Sequence, residues 1–95
     1  MPADHHYFVY LMASKRNGIL YVGVTNDVMF RAHQHAQGMG SEFTKRYNIH
    51  MLVWFEQHQY IDQAIAREKA LKKFTRKEKL ALIEAENPLW FDLKE

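Results

Sequence analysis

Two tyrosines, an arginine, a histidine and a glutamate are the side chains of this 95-residue chain that could do chemistry together: Tyr10, Tyr21, Arg31, His35 and Glu68. They offer the parts that phosphodiester hydrolysis needs: a hydroxyl or water nucleophile, a group to take its proton, a cation for the charge developing on the phosphorane, and a carboxylate for a divalent metal. One carboxylate suits a single magnesium ion, which keeps most of its waters and also ligates the substrate phosphate. A second metal would need another inward acid, and the sequence offers none. Each residue also has an ordinary role open to it. A strand tyrosine is usually core with a satisfied hydroxyl, an arginine on a helix stripe snorkels, a lone histidine is structural, and Glu68 with Arg31 could be an interior ion pair. The chemistry depends on whether the fold gathers the five.

The elements that must position them start with a hairpin. Tyr7 to Ala13 and Gly18 to Gly23 are rich in aromatic and β-branched residues. Ser14, Lys15, Arg16, Asn17 and Gly18 have the composition of a four- or five-residue hairpin loop. With Tyr10 opposite Tyr21 the strands close around Ala13 and Gly18, and both phenols lie on one sheet face. Thr25, Asn26 or Asp27 can cap a helix running from about Val28 to Gln37, which Gly38 stops. Its apolar positions, Val28, Met29, Ala32 and Ala36, put Arg31 and His35, four residues apart, on or beside the stripe that faces the sheet.

Gly38 to Asn48 reads as a loop in which Phe43 and Tyr47 alternate with Thr44, Lys45 and Arg46. Such a mixture can grip a nucleic-acid backbone or stack on a base, and it can equally cover the core. Met51 to Glu56 is the third strand. A second helix spans about Ile61 to Lys73, with Ile61, Ala64, Ile65 and Leu71 apolar and Glu68 on the same stripe, where a carboxylate requires a cation or metal partner. Thr75 and Glu78 form a capping-box signature for a third helix from Arg76 to Glu86, ended by Asn87-Pro88. Leu89, Trp90, Phe91 and Leu93 then make an apolar tail expected to fold back on the body.

Ninety-five residues are expected to make one domain with a shallow, exposed site. No long apolar run and no leader pattern is present, since Pro2, Asp4, His5 and His6 precede the first strand; a cytoplasmic protein with no membrane association is expected. The absence of cysteine excludes disulfides and thiolate metal sites. His33 and His35 fall on different sides of their helix, which makes a zinc site a poor candidate. Net charge is only +2, but the cations cluster between Arg67 and Lys79, including Lys72, Lys73 and Arg76. A run of this kind alone is a solvated helical face; beside a phosphodiester site it becomes a phosphate-backbone footprint.

Phe8-Val9-Tyr10 followed by Tyr21-Val22-Gly23, then Arg31 and His35 on one helix, Glu68 on another and Asn87-Pro88-Leu89-Trp90 near the end, resembles the GIY-YIG nuclease family, in particular its small stand-alone bacterial members. The likeness runs from Tyr7 to Leu93. It implies an α+β fold, a three-stranded antiparallel sheet flanked by about three helices, and metal-dependent cleavage of nucleic acid, DNA before RNA, with one Mg2+ or Mn2+ ion. Tyr10 and Tyr21 match the motif tyrosines, Gly23 the motif glycine, Arg31 the helix arginine, His35 a histidine that some members carry, and Glu68 the metal ligand. Lys45, Arg46, Lys72, Lys73 and Arg76 are the expected nucleic-acid contacts. Asn87 joins them as the late polar residue, although it lies farther from Glu68 than usual. Phe-Val-Tyr replaces Gly-Ile-Tyr, and Val24-Thr25 stand where repair-type members carry a lysine. Repair, recombination and nucleotide scavenging are all compatible with such a site. The rivals are a nucleic-acid-binding module that does not turn over, or does so only with a protein partner supplying specificity, and a protein-interaction domain.

Overall fold

Tyr7–Ala13 forms strand β1, the middle of a three-stranded antiparallel sheet ordered β2-β1-β3, with β2 at Leu20–Thr25 and β3 at Met51–His58. The structure, a computed structural model, describes residues 6–95; Pro2, Asp4 and His5, which bear on the expected lack of a leader, lie outside the described residues. Helices α1 (Val28–Ala36), α2 (Glu42–Arg46), α3 (Ile61–Lys72) and α4 (Arg76–Glu86) complete the α+β architecture. None of the helices among the described residues is long and apolar enough to cross a membrane.

Because side chains alternate across a strand, β1 feeds two cores. Val9, Leu11 and Ala13 pack with Ala64 and Leu71 of α3, Ile83 of α4 and Trp90. Tyr10 and Met12 point the other way, into Val28 and Ala32 of α1, Ile49 and Leu52. Tyr10 therefore lies at the centre of the sheet, on the side covered by α1.

The hairpin register differs from the expected one by two residues. Tyr10 pairs with Gly23, and Tyr21 with Met12. Ser14 is the reason: its N–H donates to the Ile19 carbonyl at 3.0 Å and its Oγ accepts from Ile19 N at 2.9 Å. The Ser14–Ile19 pair continues that register one step past Ala13–Leu20 and closes the loop there. Inside, Gly18 N donates to Lys15 O, and Asn17 adopts the left-handed conformation (φ 58°) that asparagine tolerates. A shift of two preserves the side-chain face, so the two phenols still share one surface.

β3 carries a bulge. Leu11 pairs with Trp54 but Met12 with Leu52, leaving Val53 as the extra residue, so Val53 and Trp54 both enter the core beneath α3 and α4. The chain after α4 satisfies the backbone there: Asn87 Nδ2 donates to Val53 O at 3.0 Å, Asp92 Oδ1 accepts from Leu52 N at 3.1 Å, and Leu93 N donates to Leu52 O at 2.7 Å. The tail folds back only in part. Trp90 is buried and Leu93 packs on the α1-side core, whereas Leu89 and Phe91 remain exposed.

Asp27 caps α1 by accepting from Phe30 N, and Gly38 follows its C-cap in the left-handed region (φ 77°). Thr75 and Glu78 form the full capping box of α4. The expected loop between α1 and β3 contains α2, a helix set by Ser41 accepting from Thr44 N, with Glu42 at its start and Lys45 and Arg46 at its end, each sign matching the helix dipole. On α3, Ala64 and Leu71 are buried, while Ile61 and Ile65, expected on the apolar face, stay exposed.

Candidate active site

Strand β1 brings Tyr10 up against α1, and the phenol meets the His35 imidazole there, with Tyr10 Oη 2.9 Å from His35 Nε2. Both side chains are almost wholly buried. The other imidazole nitrogen, Nδ1, lies 2.9 Å from Thr44 Oγ1, and Thr44 is itself buried on α2. The Thr44 hydroxyl can give its one proton to Ser41, whose Oγ lies 3.0 Å and whose carbonyl oxygen lies 3.2 Å away, and accept from His35 in turn. Nδ1 then carries the hydrogen and donates to Thr44, while the bare Nε2 accepts from the tyrosine. A relay results, running from the phenol through the imidazole to a short helix.

Two glycines leave the space that this relay occupies. A Cβ on Gly23 would stand 2.3 Å from Tyr10 Oη, and one on Gly40 would stand 2.1 Å from His35 Nδ1. Either distance is far inside van der Waals contact, so a larger residue at either position has to displace a member of the pair. Tyr21 closes the group from β2, its ring centroid 5.1 Å from that of His35 and 6.3 Å from that of Tyr10.

Arg31 is held beside them by its own helix and by the following turn. Its guanidinium donates to Gln34 Oε1 at 3.1 Å and to Gly40 O at 3.0 Å. Burial pushes the Tyr10 phenol up to about 12, and the neighbouring Tyr21 adds to the rise; hydrogen bonding and charge from Arg31 pull against it, and the Glu68 carboxylate pushes weakly upward. Burial, assisted by Arg31, lowers His35 to about 4. Near neutrality the pair is therefore a protonated tyrosine donating to a neutral histidine.

Glu68 comes from the other helix layer and, among the described residues, makes no hydrogen bond or ion pair with these four, although its charge reaches Tyr10. Its helix covers the opposite face of the sheet, and among the described residues its ion-pair partner is Lys72 Nζ at 3.4 Å. The interior Glu68–Arg31 pair considered from the sequence does not form. Lys72, expected at the nucleic-acid surface, is exposed yet tied to this carboxylate. No group of three or more His, Cys, Asp or Glu among the described residues could hold a metal ion by itself. A single mostly buried carboxylate with one long ion pair does fit a magnesium-type ion that takes its other ligands from water and a substrate phosphate.

Of the expected nucleic-acid contacts, Lys45, Arg46, Lys73 and Arg76 are exposed. Asn87 is not available to a substrate. It is buried, its Nδ2 donates to Val53 O and Phe91 O, and its Oδ1 accepts from Phe91 N. The histidine's support by Thr44 and the need for Gly40 are absent from the sequence reading, although Ser41 three residues before Thr44 is a cap signal that could have marked the short helix.

A three-stranded antiparallel sheet between two helix layers, with a central-strand tyrosine bonded to a helix histidine, defines a small α+β domain with a buried polar group at its centre. Residues 6–81 match the family model described as the GIY-YIG catalytic domain, and the chain belongs to the GIY-YIG family. It is similar to the UPF0213 protein SAV0488 of Staphylococcus aureus strain Mu50 and to SA0446 of strain N315. Each is 40% identical over 81 residues, which are 84% of this chain and 95% of the relative. The solution NMR structure of the UPF0213 protein BH0048 from Bacillus halodurans superposes with a TM-score of 0.57 at 25% identity, covering 93% of both chains.

Proposed function

We propose that the protein is a metal-dependent endonuclease that hydrolyses phosphodiester bonds, with DNA preferred to RNA. The observation that carries this reading is the buried 2.9 Å contact of Tyr10 with the neutral His35, braced by Thr44, in a chain of the GIY-YIG family. A water held by Tyr10 Oη gives up a proton to that oxygen as the phenol passes its own proton to His35 Nε2. The water oxygen forms the new bond to phosphorus while the bond to the leaving oxygen breaks, and solvent protonates the departing alkoxide. A relay suits these residues, because a phenol raised to about 12 is not an anion near neutral pH. Arg31, already oriented by Gln34 and Gly40, stabilises the charge on the non-bridging oxygens, and Tyr21 positions the phosphate. Glu68 would hold the divalent ion, releasing Lys72, and the ion when bound supplies Lewis-acid stabilisation of the same charge.

The test is nicking of labelled single-stranded, duplex and branched DNA, and of RNA, with magnesium or manganese. Wild type and Glu68→Ala would be prepared side by side, with a chelator control. Cleavage that needs the ion and is lost in the variant is the expected result. Equal cleavage by both would dismiss Glu68 and point to a contaminant. Binding without cleavage by either would support a binding module, a reading favoured by the Lys72–Glu68 pair that already occupies the carboxylate.

A further inference from the structure

The ring contacts of the site do not stop at Tyr21. The Tyr21 ring lies 6.1 Å from that of Phe43, and Phe43 lies 4.8 Å from Tyr47, whose ring has the Arg46 guanidinium 5.8 Å from its centroid. The line runs from the buried interior to the surface. Tyr10 and His35 are buried and Tyr21 is partly covered, but Phe43 and Tyr47 leave 44% and 40% of their surfaces in water. Each ring packs on a neighbour through one face and keeps an outer face open to a ligand. They are also fixed in place. Both belong to α2 or its C-cap, and α2 is pinned to the catalytic group by the buried Thr44–His35 bond.

We propose that Phe43 and Tyr47 form a stacking shelf for the nucleobase adjacent to the scissile phosphate. The shelf rests on the nuclease reading above, since that reading places the phosphate. A nucleobase is the occupant that fits, because every base presents a π-face to an exposed aromatic ring. The neighbouring cations Lys45 and Arg46 complement the phosphates on either side of that base. Phe43, next to Tyr21, takes the base nearest the reacting bond, and Tyr47 extends the surface outward. The base must leave any duplex stack to reach the ring, so the shelf selects a nucleotide that is unpaired or readily unstacked.

A short oligothymidylate carrying a single 2-aminopurine, moved one position at a time, reads this directly, since stacking on a protein ring quenches the fluorescent base. Wild type is expected to quench the probe in one register. Phe43→Leu keeps an apolar contact with Tyr21 but has no ring; it should lose the quench and weaken binding by on the order of tenfold. Phe43→Trp should restore both, and Glu68→Gln should keep the quench while losing cleavage. The ribose version of the strand decides whether DNA or RNA lies on the shelf. Wild type that quenches but never cleaves would keep the shelf and remove the nuclease reading. Wild type that cleaves without quenching in any register, or Phe43→Leu that quenches as wild type does, would overturn the shelf and leave the nuclease reading standing.

Discussion

Folding keeps His35 neutral, and the same burial makes the protein sensitive to acid. Its folded value is about 4, against about 6.5 in an unfolded chain. Between those values the unfolded chain binds a proton that the folded chain refuses, so stability rises with pH across that window. The contribution is complete above the unfolded value, is lost as the pH falls towards the folded one, and amounts to on the order of 2–3 kcal/mol. Urea midpoints of wild type should therefore fall between about pH 7 and pH 4.5, and His35→Gln should flatten that slope. An unchanged slope in the variant would assign the acid sensitivity to other groups. That Tyr10, Tyr21, Arg31 and His35 would meet was legible at this scale, because they are distinctive types at distinctive spacings. The support was not. Thr44 and Gly40 act only through proximity to His35, and proximity is a product of the fold.

The division between legible and hidden is similar for the elements. α4 could be bounded from sequence because Thr75 and Glu78 satisfy each other's backbone partners locally. α2 is too short to show a helical period, and the hairpin register turned on how Ser14 and Ile19 close a loop. The bulge at Val53 breaks the alternation that strand reading relies on, and its repair comes from a residue 34 positions away. That repair redefines Asn87 as a clamp between β3 and the tail. Asn87→Ala would leave the Val53 carbonyl and two Phe91 backbone groups short of partners, at a cost of about 2–4 kcal/mol. Thermal unfolding should show the loss. Nucleic-acid affinity of the folded fraction should stay unchanged, and a selective fall in affinity would return Asn87 to the binding surface.

Across the whole molecule, charge is gathered locally although the net charge is small. Arg76 at the start of α4 donates to the Asn17 and Gly18 carbonyls, which fastens the β1–β2 loop, with Lys15 and Arg16, beside the basic end of α3. Cations distant in sequence thus become one surface. Lys73, exposed at the C-cap of α3, should act there as a phosphate contact, so Lys73→Ala is expected to weaken binding of all sequences alike and to reduce the salt slope by about one. An unchanged slope would leave Lys73 as ordinary solvated charge. The tail laid against β3 has a consequence of another kind. An outer strand of a sheet normally offers free N–H and C=O groups on which a second chain can crystallise as a further strand, the first step towards fibrils. At Leu52 and Val53 those groups are already taken by Asp92, Leu93 and Asn87. Removing Asn87 to Leu93 would thus uncover those groups, and the segment acts as a local guard against strand addition at this part of the β3 edge.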